Sequence, residues 1–146
     1  GSVRHSFEGL CGLLREGVRA VRDYAPKADV MLHVALGGMV EETQRFFDAM
    51  AEYGVDYDVI GQSYYPEWHG TLEDLERNLR SMAKEIGKPI YVVEYRDYFL
   101  DIDRIVEALP DGLGLGTFIW EATSPQWGKL FDEKGASTPA LDDYNR

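Results

Sequence analysis

The chain has 146 residues, 45% of them hydrophobic and 28% charged, a composition typical of one folded globular domain rather than of a disordered segment. Its formal net charge of −11 repels nucleic-acid phosphates and anionic lipids, which both attract clusters of Lys and Arg. We therefore expect no nucleic-acid partner and no membrane partner, and a neutral ligand fits the charge better.

The cysteine content and the chain ends further limit the kinds of protein and site that the sequence allows. Cys11 is the single cysteine, which rules out an internal disulfide and the Cys/His clusters of zinc sites but leaves ions bound by carboxylates open. We expect Cys11 to be a small core residue. The sequence contains no run of about 18 apolar residues, the length that can span a bilayer. It also lacks the pattern of a secretory signal at its N-terminus. Gly1 and Ser2 are interpreted as a cloning scar, which leaves residues 3–146 as a single domain.

Apolar residues recur first at helical spacing and then in alternating strand-like and helical segments. Residues 7–24 form a predicted helix with one apolar face, which Pro26 ends. Thr71 with Asp74 predicts a capping box at the start of a later helix, and Gly87 predicts its end. Four strand–helix pairs are predicted: 29–35 with 41–53, 57–65 with 71–86, 89–95 with 101–109, and 114–120 with a weaker helix after Thr138.

This alternation predicts a parallel α/β sheet whose strands all end at the same rim. A closed (β/α)8 barrel usually needs about 250 residues, so this chain can supply only half of one. We predict a half (β/α)8 barrel, with an N-terminal helix, four parallel β/α units and open edges that pair with a second copy or a missing half. The alternative is a small open sheet, such as a flavodoxin-like module. Such a module needs a phosphate-binding loop after the first strand, and residues 35–38 are a weak candidate because no Ser/Thr pattern of a helix N-terminus follows them.

Glu94 is the candidate nucleophile because it closes the apolar run 89–94, and (β/α) barrels place catalytic groups at the carboxyl ends of their strands. Residues 57–65 and 114–121 have the same design, with polar or aromatic residues at the carboxyl end. From these residues alone, a solvated rim carboxylate or a partner of a helix dipole explains Glu94 equally well.

Aromatic residues near the predicted rim favour a sugar ligand. The C–H faces of sugar rings stack on tryptophan and tyrosine, while sugar hydroxyls take hydrogen bonds from nearby polar groups. Trp68, Trp120 and Trp127 fit that role, although Trp127 could equally be a packing plug in a loop bounded by Gly and Pro.

Longer segments resemble a known family. Residues 58–72 (DVIGQSYYPEWHGTL), 91–95 (YVVEY) and 116–121 (GTFIWE) resemble the arabinogalactan endo-β-1,4-galactanases, as do residues 31–35 and 74–83. The resemblance implies a (β/α)8 barrel whose acid/base glutamate follows strand four and whose nucleophile glutamate follows strand seven. Glu94 matches the nucleophile, so the chain would carry strands five to eight.

The same alignment implies that the acid/base glutamate, which lies in an Asn-Glu pair before the fourth helix, is absent. A retaining glycosidase needs two carboxyl groups about 5–5.5 Å apart, so we expect the chain alone to be catalytically incomplete. Glu67 and Glu121 are the obvious replacements, but nothing in the sequence directs either of them towards Glu94.

The resemblance also implies further substrate-binding residues. Tyr64 or Tyr65 would orient Glu94, and only one of them is expected to touch substrate because neighbours on a strand point to opposite faces. The resemblance further implies Trp68 and His69 along the cleft, Trp120 under the sugar, and His33, which could equally be structural. Glu121 and Trp127 are additional candidate substrate-binding residues that follow the last strand.

The chain departs from the family at two places. Ala122 stands where the family usually has proline, and residues 95–99 are shorter than the calcium-binding loop of some bacterial relatives. The short loop makes a calcium site doubtful. We predict no metal and no cofactor.

The predicted function is the C-terminal half of a retaining endo-β-1,4-galactanase-like glycosidase. The alternatives are an inactive carbohydrate-binding or structural half-barrel, or an engineered barrel fragment. The expected partners are a β-linked galactan or a related polysaccharide, and either a second copy or an N-terminal half-barrel. The parent protein is expected to be secreted or periplasmic.

Overall fold

The computed structural model describes residues 3–144; Gly1 and Ser2, interpreted above as a cloning scar, lie outside the described residues. Helices and strands alternate along the chain after a long first helix. In chain order they are α1 (Val3–Tyr24), β1 (Met31–Val34), α2 (Val40–Glu52), β2 (Val59–Ser63), α3 (Pro66–His69), α4 (Leu72–Glu85), β3 (Ile90–Glu94), α5 (Phe99–Glu107), a 3-10 turn (Pro110–Gly112), β4 (Gly114–Thr117) and α6 (Pro139–Tyr144).

The four strands form one parallel sheet in the order β1-β2-β3-β4. This order confirms the four predicted β/α units. The register shifts between Gln62 and Ser63, so that Ser63 lies opposite Glu94 rather than Val93. A bulge of this kind re-aims a side chain, and here it affects the carboxyl ends of the two central strands.

The hydrophobic core lies between the sheet and the helices. Alternate residues of β1 are buried, and the same helix-facing side of the sheet continues through Ile60, Ile90 and Val92, which are fully buried. Cys11 is fully buried, as expected for a small core residue. The helices cover this side with Phe47, Met50, Leu75, Leu79, Met82, Ile102 and Val106.

The local signals around α4 behave as predicted. The Thr71 hydroxyl accepts a hydrogen bond from the Asp74 N–H, and the Asp74 carboxylate accepts one from the Thr71 N–H, which forms the capping box. Gly87 follows the helix with a φ of 68°, a left-handed conformation that favours glycine. None of the described helices combines the length and apolarity needed to cross a bilayer.

Several boundaries differ from the predicted ones because loop conformations end or begin the elements. The fourth strand was predicted over 114–120, but β4 ends at Thr117 and the chain turns at Glu121, where φ is 44°. α5 begins at Phe99, two residues before the predicted start at 101, directly after Tyr98, whose φ is 65°. The predicted loop before α4 contains the extra helix α3.

Candidate active site

Glu94 lies at the last residue of β3, where its carboxylate is held on both oxygens. The Tyr65 hydroxyl donates to Oε1 at 3.0 Å, and the Ser63 hydroxyl donates to Oε2 at 2.9 Å. The side chain keeps 24% of its surface exposed, so a ligand in solvent can reach it. A carboxylate that accepts two hydroxyl hydrogen bonds has a fixed orientation and a stabilised negative charge.

His33, on β1, extends this arrangement across a third strand. Its Nε2 lies 2.6 Å from Ser63 Oγ and 3.6 Å from Glu94 Oε2. Because Ser63 gives its single proton to Glu94, its oxygen accepts from His33, which places a proton on Nε2. His33, Ser63 and Glu94 therefore form a chain of hydrogen bonds across β1, β2 and β3.

Tyr65 has the surroundings of a permanent hydrogen-bond donor. Burial is the largest cause that raises the pKa of its phenol, followed by the hydrogen bond to Glu94 and the charge of that carboxylate, while the charge of Arg96 opposes the rise. The phenol therefore stays protonated at neutral pH and keeps donating to Glu94.

Tyr64 and Tyr65 point to different surroundings, as expected for neighbours in an extended segment. Tyr64 is 1% exposed and its hydroxyl donates to the carbonyl of Gly70 at 3.0 Å. Burial raises the pKa of Tyr64 to about 12. The structure brings Tyr65, and not Tyr64, to Glu94.

His69 lies behind Tyr65 at the end of α3. It is buried, and its Nδ1 accepts a hydrogen bond from the backbone N–H of Tyr65 at 3.0 Å. Burial lowers the pKa of His69, although the charges of Glu94 and Glu67 oppose this. A neutral His69 is the form that can accept at Nδ1, so it fixes the backbone that carries the Tyr65 hydroxyl.

Three tryptophans follow strands of the sheet at this rim, Trp68 after β2, and Trp120 and Trp127 after β4. Trp68 is 67% exposed and packs edge-on against Tyr65, with ring centroids 5.5 Å apart. Trp120 is 44% exposed, and its backbone N–H donates to the carbonyl of Tyr95. Trp127 is 40% exposed and has the guanidinium carbon of Arg96 5.3 Å from its ring centroid. Such partly exposed indoles can stack on sugar rings.

The other predicted carboxylates have different surroundings from Glu94. Glu67 forms an ion pair with Arg96, and Glu121 lies in the turn that follows Trp120. Within residues 3–144, neither carboxylate shares a hydrogen bond with Glu94. The described part of the chain also contains no group of three or more His, Cys, Asp or Glu side chains that could hold a metal ion.

Sequence reasoning missed Ser63 and Arg96. Ser63 has a usable signal, since it ends the buried strand Val59–Ser63 just as Glu94 ends β3. Its position opposite Glu94 depends on the register shift, which the sequence does not display. Arg96 looks like an ordinary charged loop residue until the loops around it are in place.

Comparison with known proteins identifies the family. The family model described as glycosyl hydrolase family 53 matches residues 2–104. An uncharacterized protein encoded in the bgaB 5' region of Niallia circulans is 33% identical, over 83% of this chain and 41% of its own length. The endo-beta-1,4-galactanase of Bacillus subtilis is 38% identical over 58% of this chain and 20% of its own length. The arabinogalactan endo-beta-1,4-galactanase of Cellvibrio japonicus is 41% identical over 56% of this chain and 23% of its own length.

Solved structures show the same fold. The catalytic domain of the family 53 protein of Ignisphaera aggregans superposes with a TM-score of 0.85 at 24% identity, over 96% of this chain and 52% of that domain. A fungal β-1,4-galactanase superposes with a TM-score of 0.84 at 21% identity, over 96% of this chain and 55% of that chain. The chain thus spans about half of these structures and less than half of the curated relatives, and it is a partial α/β barrel. It belongs to glycosyl hydrolase family 53, whose named members here are endo-β-1,4-galactanases.

Proposed function

We propose that this chain supplies the nucleophile-bearing half of a retaining endo-β-1,4-galactanase. The observation that carries the proposal is the Glu94 carboxylate, which is fixed by Tyr65 and Ser63 at the carboxyl end of a central strand and remains partly exposed. Membership of a glycoside hydrolase family supports the reaction class, and the names of two curated relatives support galactan as the substrate.

The proposed reaction has two steps. A Glu94 oxygen attacks the anomeric carbon and forms an ester bond to the sugar as the glycosidic bond breaks, and the departing oxygen takes a proton from a carboxylic acid. Water then hydrolyses the ester, gives its proton to the same acid residue and restores the Glu94 carboxylate. Tyr65 and Ser63 aim the carboxylate and disperse its charge between turnovers.

The acid must come from a group placed about 5–5.5 Å from Glu94 on the other side of the scissile bond. Glu67 is a poor candidate because Arg96 already holds its carboxylate. We propose that the acid belongs to the other half of the barrel, which joins this chain along its open strand edges. The aromatic side chains Trp68 and Trp120 would then stack on sugar units of the bound galactan.

The first test measures release of reducing ends from β-1,4-galactan. The chain is assayed alone and mixed with the N-terminal half-barrel of a family relative, and association of the two halves is checked by size-exclusion chromatography. We expect turnover only in the mixture, and we expect Glu94→Gln to abolish it. Glu76→Gln is the matched control, since its carboxylate lies on α4, pairs with Arg80 and is not bonded to Glu94. Equal loss in both variants, or full activity of Glu94→Gln, would overturn the role of Glu94.

Chemical rescue tests the nucleophile more directly. In Glu94→Ala the vacated space admits azide, which attacks the anomeric carbon from the same face as the missing carboxylate. With an aryl β-galactoside substrate we expect a glycosyl azide of α configuration, and a β product would mean that Glu94 is not the attacking group.

The alternative function is carbohydrate binding without chemistry. It is favoured by the three exposed indoles of Trp68, Trp120 and Trp127, which need no acid in order to bind sugar. Galactan binding by an associated but inactive mixture would support it. We also propose that the parent protein is secreted or periplasmic, because a polymeric galactan does not cross a membrane, and cell fractionation of the source organism tests this.

A further inference from the structure

Arg96 lies two residues after Glu94 and contacts the loops that follow three different strands. Its guanidinium donates to Glu67, in the segment after β2, and its Nε donates to Asp97 at 3.2 Å. The same group lies over the ring of Trp127, in the segment after β4, with 5.3 Å between Cζ and the ring centroid. These four residues, Glu67, Arg96, Asp97 and Trp127, are called the Arg96 cluster below.

The chemistry of arginine suits this position. Its planar guanidinium can donate in the plane to two carboxylates while its face stacks on an aromatic ring, which lysine cannot do. The Arg96 side chain is only 23% exposed, whereas Glu67 and Asp97 are 46% and 39% exposed. Arg96 is therefore the enclosed centre of the cluster, and the two carboxylates lie on its solvent-exposed outside.

The loop that carries Trp127 keeps its own backbone shape. The Lys129 N–H donates to the carbonyl of Ser124 at 2.9 Å, and the Ser124 N–H donates to the carbonyl of Glu121 at 2.8 Å. Gly128 packs so closely that an added Cβ would lie 2.4 Å from the carbonyl oxygen of Glu121. Loss of Arg96 would therefore release the indole rather than unfold the loop.

The indole of Trp127 is held but not covered. It is 40% exposed, so part of its surface remains open to solvent while Arg96 lies over the ring. Arg96 follows Glu94 by two residues and bonds Glu67, which itself follows Tyr65, the donor to Glu94, by two residues, so the cluster adjoins the Glu94 carboxylate along both segments.

We propose that Arg96 is a positioning residue that holds the Trp127 indole as a stacking surface for a galactan unit next to the cleavage point. The proposal rests on the function proposed above. It makes Trp127 a binding surface rather than a packing plug, and it makes the affinity for galactan depend on a residue that need not touch the sugar.

The test uses the chain itself, with Arg96→Met, Arg96→Lys and the matched control Arg104→Met. Arg104 lies on α5 with 74% of its side chain exposed and pairs only loosely with Asp101, at 3.7 Å. The accessibility of Trp127 is read by acrylamide quenching, as the difference between each protein and its Trp127→Phe counterpart. Affinity is read by titration with β-1,4-galactotetraose, and melting curves check that the variants fold.

We expect Arg96→Met to increase quenching of Trp127 and to weaken galactotetraose binding roughly 2- to 5-fold, which corresponds to the loss of one cation–π contact. Arg96→Lys should fall between wild type and Arg96→Met, and Arg104→Met should change neither readout. In the Trp127→Phe background, Arg96→Met should cause less than half of this loss of galactotetraose affinity, since the indole that Arg96 holds is no longer present.

The outcomes separate the two proposals. Unchanged quenching in Arg96→Met would overturn the positioning role and leave galactan binding untouched. If Arg96→Met increases quenching of Trp127 but the wild-type chain binds no galactotetraose, the assigned ligand would be overturned, and the result would count against the proposed function. An undiminished affinity loss in the Trp127→Phe background would also overturn the inference, because Arg96 would then act by another route.

Discussion

Asp58 links three elements at the rim opposite Glu94, and its replacement by asparagine is the prediction we develop first. Asp58 Oδ2 accepts from the backbone N–H of Val30 at 2.6 Å and from Arg22 Nη2 at 2.8 Å. These bonds connect the end of α1, the approach to β1 and the approach to β2. Asparagine keeps the size of the side chain and an acceptor for the Val30 N–H, but it removes the charge.

The magnitude follows from what the charge adds to these two bonds. A hydrogen bond to a charged group contributes about 1.5–3 kcal/mol, against about 1 kcal/mol for a neutral one. The bond from the Val30 N–H becomes neutral, and the bond from Arg22 loses one of its two charges, so the two bonds together lose roughly 2 kcal/mol. Asp58 and Arg22 are 34% and 31% exposed, and solvent screening reduces such a contribution. We therefore expect Asp58→Asn to lower the free energy of unfolding by about 1 kcal/mol at pH 7 and to lower Tm by about 3 °C.

The pH dependence has a definite sign. The hydrogen bond from Val30 is the largest cause that lowers the pKa of Asp58, followed by the bond from Arg22. A carboxyl whose pKa is lower in the folded state stabilises the protein above its unfolded pKa of about 3.9. The contribution is lost as the pH falls through the folded pKa, so the difference between wild type and Asp58→Asn should shrink below about pH 4.

Urea unfolding at pH 7, 5 and 3 measures this difference. The control is Asp23→Asn, which removes an exposed carboxylate from the same helix as Arg22 and for which no hydrogen bond is present among the described residues. The reasoning would be refuted by equal stability of wild type and Asp58→Asn at pH 7. A difference that stays undiminished at pH 3 would refute it as well.

Two further predictions concern the Glu94 carboxylate and the loop after β1. Tyr65→Phe removes the hydroxyl on Glu94 Oε1, and we expect kcat/KM of the reconstituted enzyme on galactan to fall about 10- to 100-fold, whereas a change under threefold would contradict the orienting role. Asn78→Ala removes a buried donor that reaches the carbonyl of Gly37 at 2.8 Å, and we expect about 2 kcal/mol of destabilisation in urea unfolding, which an unchanged midpoint would contradict.

The sequence predicts the fold well because its main signals are local. Apolar runs of strand length alternate with amphipathic helices, and the capping box at Thr71 and the glycine at 87 mark the ends of α4. Glu94 is predictable for the same reason, since a charged residue closes an otherwise apolar strand. A strand followed by a helix then dictates the rim at which the carboxylate lies.

The rest of the site depends on relations between segments, which a single sequence does not display. The opposite directions of Tyr64 and Tyr65 are expected, but the sequence does not say which one faces Glu94. The bulge between Gln62 and Ser63 places Ser63 beside Glu94, and it is decided by hydrogen bonding between strands. The Arg96 cluster forms only where segments that follow three different strands meet, so no local sequence pattern predicts it.

The distribution of burial explains how this partial barrel holds the Glu94 carboxylate in position. The helix-facing side of the sheet is complete within this chain, with Ile60, Ile90 and Val92 fully buried, whereas Met31 and Leu115 on the edge strands are 37% and 46% exposed. Every described partner of the Glu94 carboxylate comes from β1, from β2 or from the segment that follows β2. Addition of the other half would therefore cover the open edges and inner face without rebuilding the core or the Glu94 environment. Under the proposed function, a Glu94 carboxylate that is oriented before the halves meet needs only an acid from across the barrel. We therefore expect activity to depend on association rather than on refolding of this chain.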